Sequence, residues 1–167
     1  AIQIAGDALK AAASDPGISL AYGVNFVGSG SVSALGTYLT LWMVTYGTTQ
    51  AGMTSAEALA RGGMIIGISQ IMGLVAAPVF GVLSDKLAGF KAVIVSTALT
   101  AVVFAATLLI ANPLGGLMIV LGLFLGFVQI SSVITGGALI GKRAPDAVRG
   151  SVMGFYGFCG ALGIMLT

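Results

Sequence analysis

The side chains that could do chemistry in this sequence are amides, hydroxyls and a small number of charges. There is no histidine and a single cysteine, Cys159, which excludes an internal disulfide and makes a Cys/His metal site implausible. No ionisable residue lies inside the long apolar segments, so no acid, base and nucleophile come together as an enzyme needs. We therefore expect no catalytic residue, no metal and no cofactor. The net charge of +2 does not indicate a nucleic-acid partner, and none is expected.

Amide and hydroxyl residues recur at helical spacing along the first apolar segment and again in a later one. In a helix, the side chains at 22, 25, 29 and 33 fall within about 80° of one another. Such a face is either a packing seam joined by hydrogen bonds or the wall of a solute pathway. The polar composition of the first segment favours a pathway, whereas Gln129 fits both interpretations. The predicted cavity residues are Tyr22, Asn25, Ser29, Ser33, Gln129 and Ser132.

Two other segments carry faces of small residues, for which close helix packing is the favoured interpretation. The first face holds Gly63, Gly67, Gln70, Ala77 and Gly81. The second holds Gly150, Gly154, Gly157 and Ala161. Both are predicted to be packing seams.

The composition requires a membrane around these segments. Only 7% of residues are charged, 57% are hydrophobic, and the mean hydropathy is +1.09. Uncharged runs cover 16–56, 62–84, 92–141 and 150–167, and a helix needs roughly 20 apolar residues to cross a bilayer core. We predict an all-α polytopic membrane helix bundle with four complete transmembrane helices and the start of a fifth.

Helix boundaries follow from capping signals. Asp15 precedes Pro16, a typical start, and Thr54 with Glu57 three residues later has the form of a capping box. The prediction is a cytoplasmic leader at 1–15 and a transmembrane bundle at 16–167. The predicted helices are 16–46, 54–84, 92–111, 113–141 and 145–167.

Basic residues are concentrated at one end of the predicted bundle, called here the basic end. It holds Lys10, Lys86, Lys91, Lys142, Arg143 and Arg149, against Arg61 alone at the other end. By the positive-inside rule the basic end faces the cytoplasm. The protein is therefore expected in the cell (inner) membrane with its N-terminus in the cytoplasm.

The helix at 92–111 differs from the others because it contains no glycine. Small residues let membrane helices approach one another, so this helix is predicted to be peripheral. Val95, Val102 and Leu109 should face lipid.

The loop from Gly81 to Lys91 resembles the signature loop of the major facilitator superfamily, G-x-L-[AS]-D-[RK]-x-G-[RK]-[RK]. The segment from Pro145 to Gly154 is similar to that family's P-x-x-x-R-G-x-x-x-G entry to its fifth or eleventh helix. The gating residues that this resemblance implies are Gly81, Leu83, Asp85, Lys86, Gly89, Lys91, Arg149 and Gly150. Ala88 is an extra residue, and Phe90 replaces a basic one. Both departures point to the C-terminal copy of the loop, so the helices are identified as the seventh to eleventh.

The resemblance implies a secondary active or facilitative transporter that moves a small solute by alternating access between two six-helix halves. Its partners would be the solute, the lipid bilayer and the missing N-terminal half, through which protons could be coupled. Asp85 is expected to have only local contacts. Its partner in the family is the start of the fifth of the twelve helices, which belongs to the missing N-terminal half. Aromatic residues such as Tyr22 and Tyr156 favour a drug or metabolite exporter, or serve as interface anchors. The alternative is a membrane scaffold or assembly subunit that transports nothing. A packed seam on the first helix would favour this alternative.

Overall fold

The computed structural model describes residues 2–87 and 89–167, all of it helices and short connections with no strand in these ranges. The helices are α1 (Ile2–Ser14), α2 (Pro16–Thr49), α3 (Ser55–Lys86), α4 (Gly89–Leu108), α5 (Gly116–Gln129), α6 (Ser131–Arg143) and α7 (Arg149–Met165), the last preceded by a 3-10 turn at Asp146–Val148. Five segments are long and apolar enough to cross a membrane, with α5 and α6 together forming one of them. The predicted all-α membrane bundle is confirmed. The fifth segment, expected only as the start of a span, reaches 20 residues from Asp146 to Met165.

Local side-chain chemistry sets the helix starts that the sequence indicated. The Asp15 carboxylate accepts a hydrogen bond from the Gly17 amide at 2.7 Å, and Pro16 occupies the first turn of α2. At α3 the Thr54 amide donates to the Glu57 carboxylate at 2.8 Å, while the Glu57 amide donates to the Thr54 hydroxyl at 3.3 Å. Each cap satisfies donors that the first helical turn leaves without partners.

Other helix ends differ from the predicted ones by a few residues. Helix α2 does not end before Gly47 but continues to Thr49. Gly47 is buried, and a Cβ added there would lie 2.5 Å from the Ala58 Cβ, so this glycine allows close packing instead of ending the helix. Helix α5 begins at Gly116 instead of 113, because the Asn112 side chain accepts from the Leu114 amide at 3.0 Å and forms a turn. The predicted leader contains a helix, α1, whose Ala8 and Ala11 are buried.

Two hydrophobic clusters pack the bundle at opposite ends of α2. The cluster at the basic end includes Ile18 and Tyr22 of α2 with Ile140 of α6. The far cluster includes Met43 of α2 with Met118 of α5. The middle of α2 contributes no fully buried residue to either cluster. The centre of the bundle is therefore where unfilled space can occur.

Helix α4 exposes one apolar face, as predicted, but within the described residues the glycine-rich α3 and α7 are no more buried than α4. Val95, Val102 and Leu109 are 47%, 66% and 86% exposed. Its other face is not merely apolar, however. Ser96 is buried, with its hydroxyl 2.9 Å from the hydroxyl of Thr135 on α6. Hydroxyl pairs thus fix this helix to the bundle while its apolar face remains for lipid.

The close helix crossings use different glycines from those predicted. A Cβ at Gly163 of α7 would overlap the Phe26 carbonyl oxygen of α2, and one at Gly126 of α5 would overlap the Ser69 carbonyl oxygen of α3. Within the described residues no helix covers the two predicted seams: a Cβ would meet nothing within 4 Å at Gly63, Gly67, Gly81, Gly150, Gly154 or Gly157. Both small-residue faces therefore remain uncovered.

Candidate functional site

The regular helix of the fourth membrane span is interrupted at its centre by one residue that keeps a right-handed helical conformation, called here the break. Helix α5 has 14 residues and α6 has 13, and Ile130 separates them with φ −83° and ψ −14°. The Val128 carbonyl accepts from the Ser131 hydroxyl at 2.5 Å and from the Thr100 hydroxyl at 3.2 Å. Irregular backbone at membrane depth persists where side-chain hydroxyls satisfy it or where it borders a cavity. This break meets both conditions.

A cavity of about 260 Å³, called here the central cavity, lies beside the break. Five helices contribute to its wall, including Ser29 of α2, Gln70 of α3, Gln129 of α5 and Ile164 of α7. Both glutamines stand near the middle of their membrane spans. The cavity therefore combines amide and hydroxyl groups with apolar walls at mid-membrane depth.

A second cavity of about 570 Å³, the outer cavity, lies between α2, α4 and the broken span. It uses Ser19, Gly23 and Ser31 of α2, and Thr100 of α4. Val32 and Gln129 line both cavities, so the two adjoin at the break. Sequence reasoning missed Thr100 because α4 was predicted to be a peripheral helix that faces lipid.

Two of the predicted cavity residues lie instead in a packed seam between α2 and α7. Asn25 is only 4% exposed, and its amide donates to the Tyr156 carbonyl at 2.6 Å. The Tyr22 hydroxyl donates to the Val152 carbonyl at 3.2 Å. Within the described residues neither side chain lines the central or the outer cavity. The prediction is wrong for this pair because the polar face of α2 is covered by α7.

The remaining predicted cavity residues divide between the two cavities. Ser29 lines the central cavity, and its hydroxyl donates to the Asn25 side chain at 3.2 Å. Ser132 is buried and lines the outer cavity, 2.6 Å from where a Cβ at Gly28 would lie. Gln129 lines both. Ser33 is half-buried and borders neither.

The loop after α3 makes a contact that was not expected. The Lys142 ammonium at the end of α6 lies 3.3 Å from the Asp85 carboxylate and donates to the Ser84 carbonyl at 2.5 Å. Asp85 therefore has a partner on a distant helix, and the prediction of local contacts alone is wrong. The contact forms because the end of α6 packs beside the end of α3. There the Lys142 ammonium also caps the Ser84 carbonyl in the last turn of α3.

Other loop residues take positions consistent with close packing or exposure. Gly89 starts α4, and a Cβ there would lie 2.6 Å from the Leu139 Cδ1. Gly81 and Leu83 are half-buried, while Lys86 and Lys91 are exposed; Ala88 lies outside the described residues. At the start of α7, Arg149 pairs with Asp146 at 2.7 Å, and Gly150 beside it is exposed.

A second charged contact at the basic end was missed entirely. The Arg143 guanidinium lies 3.0 Å from the Asp15 carboxylate and 4.6 Å from the centre of the Phe90 ring. Phe90 stands where the signature loop usually has a basic residue. The Arg143 side chain of α6 stacks on the Phe90 ring and brings a positive charge to this place. Lys142 and Arg143 together join α6 to the starts of α2 and α4 and to the end of α3.

The described residues contain no group of three or more side chains suited to holding a metal ion. The sequence matches the Major Facilitator Superfamily over residues 3–167, and the chain therefore belongs to this family. It is thus a multi-pass membrane protein of a transporter family. The predicted membership of this family is confirmed.

A curated relative is also similar to this chain. Magnetosome protein MamH from Paramagnetospirillum magneticum (strain ATCC 700264 / AMB-1) is 25% identical over 151 residues, which is 90% of this chain and 35% of the relative. The chain spans about a third of the length of that protein. No solved structure matches this chain significantly.

Proposed function

We propose that the protein moves a small solute across the membrane by alternating access, with the solute bound in the central cavity beside the broken span. The observation that carries this proposal is Gln129, an uncharged polar side chain placed by a mid-span helix break into that cavity. Discontinuous helices near the bilayer midplane are a recurring element of transporter binding sites. Membership of a transporter family supports the same conclusion.

The proposal includes a second half of the transporter as partner, with the described spans as helices seven to eleven. The uncovered faces of α3 and α7 support this. Both helices border the central cavity through Gln70 and Ile164, and their glycines at 67 and 157 face open space. A second half packed on these faces would close the central cavity between the two. The basic end would face the cytoplasm.

We place proton coupling in that second half. Within the described residues the wall of the central cavity has no ionisable side chain, and proton relays in membranes use carboxylates or histidines. The direction of transport stays a prediction. Two of the aromatic residues that favoured drug or metabolite export, Tyr22 and Tyr156, belong to the α2–α7 seam, and export stays a prediction.

A membrane scaffold remains the second candidate, and one observation favours it. The face of α2 that holds Asn25 is a packed seam, which is what a protein without a solute pathway would need. The cavities on the other faces of α2 favour the transporter instead.

Reconstitution into liposomes separates the two candidates. The vesicles are loaded with a defined mixture of polyols, amino acids, amines and carboxylates, and mass spectrometry follows the loss of each. We expect at least one solute to leave faster than from protein-free vesicles, and Gln129→Leu to abolish the difference. Thr40→Ala is the matched control, since the Thr40 hydroxyl bonds only within α2. Folded protein that releases every solute at the protein-free rate would favour the scaffold.

A further inference from the structure

Two amide side chains at mid-membrane depth have no internal partner. Gln70 and Gln129 both line the central cavity, and neither side chain forms a hydrogen bond with another residue in the described ranges 2–87 and 89–167. Gln70 is exposed and Gln129 is half-buried, so both side chains remain accessible. An amide in an apolar environment costs free energy unless something bonds to it. Within the described residues nothing supplies that bond, which leaves it to water, to a solute or to the proposed second half.

The remaining cavity wall narrows the chemistry of the solute. Its other members include Val32, Leu74 and Val133, which are apolar, and Ser29, whose hydroxyl proton is directed to Asn25. Each glutamine offers two N–H donors and one carbonyl acceptor. The wall therefore presents donors and acceptors together, with no charge to balance an ion.

We propose that Gln70 and Gln129 determine specificity for an uncharged solute that carries hydroxyl or amide groups on an apolar body. This inference rests on the proposed function, because it assigns the substrate class of the same cavity. A carboxylate or an ammonium group would find no counter-charge on this wall, and burying an unpaired charge is far more costly than burying a hydrogen-bonded neutral group.

Cysteine chemistry tests the charge preference before the solute is known. In a Cys159→Ala background of the full-length protein, Gln70→Cys is exposed to three methanethiosulfonates of similar size. They carry a hydroxyethyl, a sulfonatoethyl and a trimethylammonioethyl group, and each rate is normalised to that reagent's rate with a free thiol. We expect the neutral reagent to react at least about tenfold faster than either ion. Lys86→Cys, at an exposed position, is the control and should show normalised rates close to one another.

A second variant changes the charge of the cavity. Adding Gln129→Glu to Gln70→Cys supplies a counter-charge, so the cationic reagent should accelerate and the anionic reagent should slow. Similar normalised rates for all three reagents, unchanged by Gln129→Glu, would overturn the inference and leave the proposed function standing, because the cavity would still be reached by water-soluble molecules. No reaction with any reagent at either Gln70→Cys or Gln129→Cys, while Lys86→Cys reacts, would overturn the proposed function as well.

Discussion

Replacing Asn25 by alanine should weaken the fold rather than alter transport. The change removes the hydrogen bond from the Asn25 amide to the Tyr156 carbonyl and the one that Asn25 accepts from Ser29. Interhelical hydrogen bonds in membranes contribute about 0.6 kcal/mol on average and up to about 1.7 kcal/mol. The space left by the lost amide adds a cavity cost. We expect a total loss of about 1–2 kcal/mol in the free energy of unfolding.

Thermal unfolding in detergent, followed by the retained monodisperse fraction, measures this loss. A change of 1–2 kcal/mol should lower the midpoint by about 2–8 °C. Thr40→Ala on the same helix is the control and should shift it little, because the Thr40 hydroxyl donates only to the Gly36 carbonyl of its own helix.

A double-mutant cycle with Gly160 checks the geometry of the same contact. A Cβ at Gly160 would lie 2.7 Å from the Asn25 amide nitrogen and 3.0 Å from the Ser29 hydroxyl. Gly160→Ala should therefore destabilise the wild type but cost less in the Asn25→Ala background, where the closest contact is gone. The reasoning fails if Asn25→Ala unfolds like the wild type and instead changes which solutes are transported, since Asn25 would then line the pathway after all.

Three further predictions test the packing around the site. Gly163→Ala should destabilise by about 1–3 kcal/mol, as thermal unfolding will show, because its Cβ overlaps backbone that no rotamer change can move. Thr100→Val should cost about 0.5–1.5 kcal/mol by removing one of the two hydroxyls that bond the carbonyl at the helix break, again read from the unfolding midpoint. Arg143→Asp should cost up to about 1 kcal/mol, since its ion pair is partly exposed, and the loss should shrink at high salt.

Local rules predicted the helix caps, but they did not predict the helix break. The caps at Asp15 and Thr54 depend on residues within three positions of one another, so their chemistry is visible in the sequence. The break at Ile130 contains neither proline nor glycine. The Val128 carbonyl beside it accepts hydrogen bonds from the hydroxyls of Ser131 nearby and of Thr100 on another helix. Only the tertiary structure brings the Thr100 hydroxyl into place.

The polar and small-residue faces show a second limit. Helical spacing correctly placed Tyr22, Asn25 and Ser29 on one side of α2, but spacing does not state what covers that side. Helix α7 covers it, so two of the three became seam residues and only Ser29 reaches a cavity. Small residues serve equally in close crossings and on open faces. For this reason Gly163 and Gly157, on one helix, have opposite surroundings.

The charged contacts between helices at the basic end were not predicted from the sequence. The family motif singled out Asp85, whose partner proved to be Lys142 on α6 of the same bundle. Residues 85 and 142 are far apart in sequence, and no spacing rule connects them. The same holds for Arg143 with Asp15.

The central claim is that Gln129 lines a pathway that opens alternately to the two sides of the membrane. The most direct test uses Gln129→Cys in the Cys159→Ala background with an uncharged, membrane-impermeant sugar methanethiosulfonate. The reagent is added outside intact cells in one experiment and outside inside-out vesicles in the other. We predict modification from both sides, with Lys86→Cys modified only in the inside-out vesicles. Modification of Gln129→Cys from one side only, or from neither, would contradict alternating access at this cavity.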